Sequence, residues 1–146
     1  MPRKETSEMK TEIFSLKDKG TLFAKARSMH DCSFTVSYEN DTLILVFDHL
    51  EQYFGPAPGG PWFDNHQKCT VKYHNVKYLC LTLKYRKKEK IFFDTVEALA
   101  EKESIMFKFS VDSFGHLYLD FLVEIKKKLW GGILEMAPEE VEYIWD

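Results

Sequence analysis

The sequence lacks the signatures by which common catalytic designs are recognised. It contains no G-x-G-x-x-G, no P-loop and no G-x-S-x-G, so a nucleotide enzyme of familiar design is not expected. Cysteine is sparse: Cys32, Cys69 and Cys80 are an odd count, which excludes a fully paired disulfide framework and fits a reducing, cytoplasmic setting. Each thiol then reads as a small buried hydrophobe. The longest strictly aliphatic and aromatic run is Leu43 to Phe47, far short of the roughly 20 residues a membrane helix needs. Met1 to Lys10 is polar and charged with no apolar segment before a cleavage site, so it reads as a flexible tail rather than a secretory signal. Neither sign of charge dominates. With 20 basic and 23 acidic residues the net charge is -3, and such a molecule has no overall field to gather nucleic acid or anionic lipid.

What is present is enough for a core. The 146 residues are 45% hydrophobic and 15% aromatic, which suits one folded domain, here residues 11–146 after the tail 1–10. Thr11 to Leu16 has the length of a short strand, and the spacing of Leu22, Phe23, Ala24, Ala26 and Met29 predicts a short helix over Lys17 to Met29. The period then changes to two. Phe34, Val36 and Tyr38 alternate with small hydroxyl residues, Asn40-Asp41 supplies a tight turn, and Thr42 to Asp48 returns as an apolar strand. Cys69 to Tyr73, Tyr78 to Tyr85 and Ile91 to Phe93 continue the pattern. Asp94-Thr95-Val96-Glu97 has the form of a capping box and predicts a second short helix to about Glu103. Ile105 to Val111 and Leu117 to Ile125 form another hairpin about Asp112 to Gly115, and Leu129 to Ala137 and Val141 to Trp145 supply two further strands.

These signals predict an α+β domain, mostly antiparallel β, in which about eight strands make a curled sheet, barrel-like or sandwich, with one or two short helices covering an open face. His49 to Lys68 interrupts the pattern. Its cluster Gly55-Pro56-Ala57-Pro58-Gly59-Gly60-Pro61 suits neither helix nor sheet, so a long loop is expected.

Several constellations could carry chemistry. In His30-Asp31-Cys32 an extended backbone sends successive side chains to opposite faces, which defeats a nucleophile relay. The plainer role is a hydrogen-bonded entry to the first long strand, with Cys32 packed inside. His66-x-x-Cys69 has the spacing of half a zinc site, with Cys80 as a potential strand neighbour, but no second close pair accompanies it. Asp48 with Glu51, and Glu139 with Glu140, read as solvated surface. Lys84, Arg86, Lys87, Lys88 and Lys90 make a basic tip near Tyr85, Phe92 and Phe93, and Lys126 to Lys128 make a second. An aromatic, cationic surface for single-stranded nucleic acid is conceivable there, although a solubilising hairpin tip is the commoner use of such residues. Trp62, Phe63, Asp64 and His66 beside the Gly/Pro cluster are the best placed for binding, since long loops in compact domains often bind. The alternative is that the two aromatics plug an open end of the sheet. Trp130-Gly131-Gly132 marks a bulge, a bend or a close backbone approach.

Met29-His30-Asp31-Cys32-Ser33-Phe34 with Asp41-Thr42-Leu43, together with the closing Val141-Glu142-Tyr143-Ile144-Trp145, resembles small β-rich bacterial proteins that open with a His-Asp-small-residue step, some of them immunity proteins of toxin systems. The resemblance spans the first hairpin and the last strand, and it implies a non-enzymatic binding protein with no catalytic residues.

The expected function is therefore a small intracellular binding or protein-interaction module, immunity-like in its most specific form, with binding residues Trp62, Phe63, Asp64, His66, His30, Asp31 and Trp130. A protein is its expected partner, and unpaired edge strands leave a homo-oligomer open. The second reading is a small-ligand-binding β-barrel or an enzyme with its site in the sheet cavity and His30, Asp31 or His66 at the mouth. No catalytic residue, metal or cofactor is assigned, nucleic acid is disfavoured, and no membrane partner is expected.

Overall fold

Alternation of apolar and polar residues gives each strand one face that seeks burial, and in the computed structural model ten such strands pair in one wholly antiparallel sheet. The structure describes residues 10–15, 29–52, 65–86, 88–93, 96, 99 and 102–145, with the backbone alone at 10, 51–52, 65–67 and 88–93. The strands are β1 (Lys10–Ser15), β2 (Ser33–Glu39), β3 (Thr42–Gln52), β4 (Asn65–His74), β5 (Leu79–Tyr85), β6 (Lys88–Phe93), β7 (Ser104–Val111), β8 (Leu117–Ile125), β9 (Lys128–Met136) and β10 (Glu140–Trp145). Their spatial order is β1-β10-β4-β3-β2-β7-β8-β9-β5-β6. The outermost strands β1 and β6 do not pair with one another, so the sheet stays open.

The sheet divides into two five-stranded halves at a narrow seam. β2 meets β7 at only two ladder positions, Ser33 opposite Ile105 and Phe34 opposite Ser104. The backbone prolongs the seam where Asp31 N–H donates to Met106 O at 2.7 Å and Met106 N–H to Cys32 O at 3.0 Å. Immediately beyond, the β7–β8 register shifts between Met106 and Lys108, a bulge at Phe107 that bends β7 away. The halves thus curl toward each other and bury the same face. Val36, Leu45, Val71 and Tyr143 from the first half and Leu81, Leu119, Phe121 and Leu134 from the second are all at most 5% exposed. Phe34 links them, its ring 5.3 Å from Phe47 and 5.8 Å from Phe121. Full burial of one such side chain is worth roughly 1.5–3 kcal/mol.

At the other end the halves are tied by two connections running side by side, β4 to β5 and β9 to β10. Lys77 N–H donates to Ala137 O, Ala137 N–H to Tyr78 O and Glu139 N–H to His74 O, at 2.9–3.0 Å. The ion pairs Lys77–Glu139 at 3.2 Å and His74–Glu142 at 2.7 Å flank this crossing.

Two hairpins close in two residues with positive φ, and Arg86, which follows β5, also has positive φ. One is the expected Asn40-Asp41 turn, with φ of 50° and 59°. The second is Lys126-Lys127, at 52° and 67°, which the sequence pattern marks only as a basic cluster. Arg86, between β5 and β6, stands at 57°. Left-handed conformations cost a non-glycine residue roughly 1–2 kcal/mol, so cross-strand pairing holds these basic turns against local preference.

The structure corrects the expected architecture in four places. It has ten strands rather than about eight. No α-helix occurs among the described residues, so the class is all-β rather than α+β. Of the expected helix at Lys17 to Met29 only Met29 lies within the described residues; in the one at Asp94 to Glu103, Leu99 N–H bonds Val96 O and Lys102 N–H bonds Leu99 O. Bonds of this i→i+3 spacing are of the 3₁₀ type, and Val96 and Leu99 are buried in the core, while the other residues of that expected helix except Lys102 and Glu103 lie outside the described residues. The segment His49 to Lys68 is not wholly irregular, since β3 runs to Gln52 and β4 starts at Asn65, with Leu50 paired to Gln67 after a bulge. Finally, Cys69 and Cys80 lie in different halves, on β4 and β5, and are not strand neighbours. Residues 1–9 of the expected tail lie outside the described residues, and Lys10 already belongs to β1. Among the described residues no helix is long and apolar enough to cross a membrane.

Candidate functional site

The outer face of the second half is where apolar residues remain uncovered. Strand period two sends Ile105 and Phe107 of β7, Leu122 of β8 and Leu129 and Ile133 of β9 outward, and the bulge adds Lys108 as a second successive outward residue. They are 43%, 41%, 59%, 45% and 58% exposed respectively. The ladders place them in rows: Ile105 faces Leu122, which faces Gly131, which faces Lys84 of β5; in the next row Lys108 faces Asp120, which faces Ile133. Exposed apolar patches of this kind mark interaction surfaces more often than scattered single residues do.

Gly131 stands where the outer row would otherwise carry a side chain. A Cβ there would meet nothing closer than Lys84 O at 3.9 Å. The gap contributes to a hollow of about 350 Å³ lined also by Lys84, Phe107, Asp120, Leu122 and Ile133. A second hollow, of about 550 Å³, lies beside it between Ile105, Leu122, Leu129 and the charged residues Lys102, Glu103, Glu124, Lys126 and Lys127. Leu122 borders both. Burial raises the Asp120 carboxyl pKa, and the opposing Lys108 ammonium partly offsets the rise.

Gly132, the next residue, faces inward and has the opposite reason to be glycine. It lies opposite Phe121, and an added Cβ would sit 2.4 Å from two carbons of that ring. The β8–β9 register runs unbroken through both glycines, so the pair marks a close approach and not a bulge.

At the seam end of the second half the two basic tips meet, because β5 pairs with β9, and their aromatic contact lies on the inner side of the sheet. Tyr85 packs against Trp130 with ring centroids 5.4 Å apart, the Arg86 guanidinium lies 5.2 Å from the Tyr85 centroid and the Lys128 ammonium 5.4 Å. These are cation–π distances.

A polar network occupies the opposite end of the β7–β8 hairpin. The Asp112 carboxylate accepts the N–H of Phe114 at 2.8 Å, that of His116 at 2.9 Å and the Tyr118 hydroxyl at 2.8 Å. Chiefly through the His116 N–H, and despite some desolvation, these donors hold its carboxyl below the usual range. The same bond, with burial and the Glu135 charge, pushes Tyr118 up to about 12. His116 Nδ1 lies 3.3 Å from Glu135 Oε2, and its ring stacks on Tyr78 at 5.6 Å. Among the described residues no group of three or more His, Cys, Asp or Glu is placed to hold a metal ion.

The residues singled out from the sequence are scattered. Trp62, Phe63 and Asp64 lie outside the described residues. The backbone of His66 sits in β4 opposite Glu51, in a strand rather than a loop, because the β3–β4 ladder resumes after its bulge. His30 and Asp31 occupy the turn into β2, with His30 Nδ1 3.0 Å from Asp31 Oδ2 and side chains 57% and 77% exposed. The backbone N–H of Asp31 and C=O of Cys32 bond Met106 of β7, rather than tying a helix end to β2 as the sequence suggests, and Cys32, partly buried, packs against the core. His30 also reaches the outer face, its ring 6.1 Å from Phe107. Trp130 faces inward against the core and Tyr85.

The sequence reading missed Phe107, Leu122, Leu129 and Ile133 as surface residues. Their only signal was that Leu122, Leu129 and Ile133 fall on the polar phase of otherwise alternating strands. No protein-family model matches the chain, and neither the curated proteins nor the solved structures contain a match to it.

Proposed function

We propose that the protein is a non-enzymatic protein-interaction module that engages its partner through the outer face of β7, β8 and β9. The observation that carries this reading is the patch of Ile105, Phe107, Leu122, Leu129 and Ile133, each 41–59% exposed, around two adjoining hollows, one of them left open by Gly131. Covering the remainder of these side chains would contribute roughly 1 kcal/mol each, a gain that only a partner can supply. An immunity-type role, in which the module covers a toxin's site, is the specific form to which the sequence resemblance leads. A ligand site within the curl has less support, since both hollows open outward and the facing interior positions are occupied by Phe34, Phe47, Tyr73 and Tyr143.

The test is site-specific photocrosslinking in cells, with benzoylphenylalanine replacing Phe107 on the bare face or Ile144 on the outer face of β10. A discrete protein adduct from position 107 and none from position 144 is expected. Equal adducts at both positions, or none at position 107 in a folded variant, would refute the reading.

A further inference from the structure

We infer that the partner presents an acidic amphipathic peptide segment, its apolar side chain seated in the Gly131 hollow and its carboxylates over the neighbouring basic end. The inference rests on the interaction reading above and deepens it by naming the partner's chemistry.

Two independent features of one surface carry it. The first is shape: between Leu122, Ile133 and Phe107 the missing side chain at Gly131 leaves a recess, not a protrusion, and a recess of about 350 Å³ takes an inserted side chain. The second is charge. Lys84, Lys126 and Lys127 are all exposed at this end of the face, where they border the two hollows, in a chain whose net charge is -3. The acids lining the two hollows are Glu103, Asp120 and Glu124, and Glu135 stands farther along the same face beside His116; Asp120 is matched by Lys108 across the ladder, and Glu103 adjoins Lys102. The balance at the rim is therefore positive against an otherwise acidic molecule, the arrangement that steers and registers an acidic partner. An anionic bilayer suits the face less well, because it would rest on the same three carboxylates while the recess at the apolar centre stayed unfilled.

The experiment selects peptides from a random display library on the folded protein, then measures binding of the synthesised winners by fluorescence anisotropy. Enriched peptides should join a large apolar residue to flanking Asp or Glu. Their affinity should fall about tenfold or more in the double variant Lys126→Glu/Lys127→Glu, fall with added salt, and be lost in Gly131→Leu, which fills the recess. Urea denaturation of each variant confirms that it is folded. Winners without acidic residues that ignore the charge reversal but are lost in Leu122→Asp would overturn the acidic partner while leaving the interaction face intact. Winners indifferent to Leu122→Asp would remove both. Tight binding of phosphatidylserine vesicles, abolished by the charge reversal, in the absence of such peptides would replace the peptide by a membrane surface and refute the proposal.

Discussion

On β8 and β9 large apolar side chains stand on both sides of the sheet, and the two sides differ completely in what covers them. Inward, Leu119, Phe121, Val123 and Leu134 are at most 3% exposed, because the curl at the β2–β7 seam brings the first half over them. Outward, Leu122, Leu129 and Ile133 have no layer of described residues over them and remain 41–59% exposed. The residue types are the same, so hydrophobicity does not separate them. What separates them is which side of one ladder the sheet bends toward.

The adjacent glycines mark the same division at the scale of one atom. Gly132 is glycine because Phe121 occupies the space of its Cβ, whereas Gly131 borders open space. Substitutions on the inner side should act on stability, and those on the outer side on partner binding.

The largest effect is expected from Phe121→Ala, which empties the contact between the halves and should cost about 3–5 kcal/mol. Its urea midpoint should fall steeply, and a loss no larger than that of Leu122→Ala would break the distinction between the faces. Gly132→Ala comes next. Phe121 must move to admit the methyl group, an overpacking penalty of about 1–3 kcal/mol, while Gly131→Ala should stay within about 0.5 kcal/mol of the parent. Equal destabilisation by the two would show that the hollow is not open.

The smallest effects are expected from pH. The Asp112 carboxyl is held below its usual range in the fold. Its contribution is therefore complete above the unfolded-state value and lost as the pH falls through the lowered folded value. Tyr118 is raised from 10.0 to about 12, so its contribution is complete below pH 10 and lost as the pH climbs from there to about 12. Urea midpoints measured across both ranges should show an acid limb and an alkaline limb that Asp112→Asn flattens together. An unchanged profile in that variant would remove the network from the stability of the outer hairpin end.

Much of the sheet was legible because period-two alternation is a local property. The Asn40-Asp41 hairpin and the extent of the strands flanking Asp112 to Gly115 fall where the pattern puts them, but on β7 the apolar phase of Ile105 and Phe107 faces outward and Met106 inward, with the register shifting at the bulge before Phe109. Where the reading went astray, a distant partner decided the local structure. Most of the helix suggested by the capping-box residues lies outside the described residues, and its described part carries i→i+3 bonds at Leu99 and Lys102. The Lys126-Lys127 turn escaped notice because lysine carries no preference for positive φ, and its conformation is imposed by the β8–β9 ladder on either side.

The candidate site was legible only in fragments. His30 and Trp130 were noted, but only His30 reaches the face, at Phe107, while Trp130 packs inward, and Ile105 and Phe107 were read as the buried phase of β7. By itself the sequence determined that strands would form, where most would turn, and that one face of each would be apolar. Which of two apolar faces is buried follows from the bulge at Phe107, the two-position seam and the paired crossings at His74 to Tyr78 and Ala137 to Glu139. These are contacts between residues far apart in the chain, and a pattern of period two carries no information about the direction in which the finished sheet will bend.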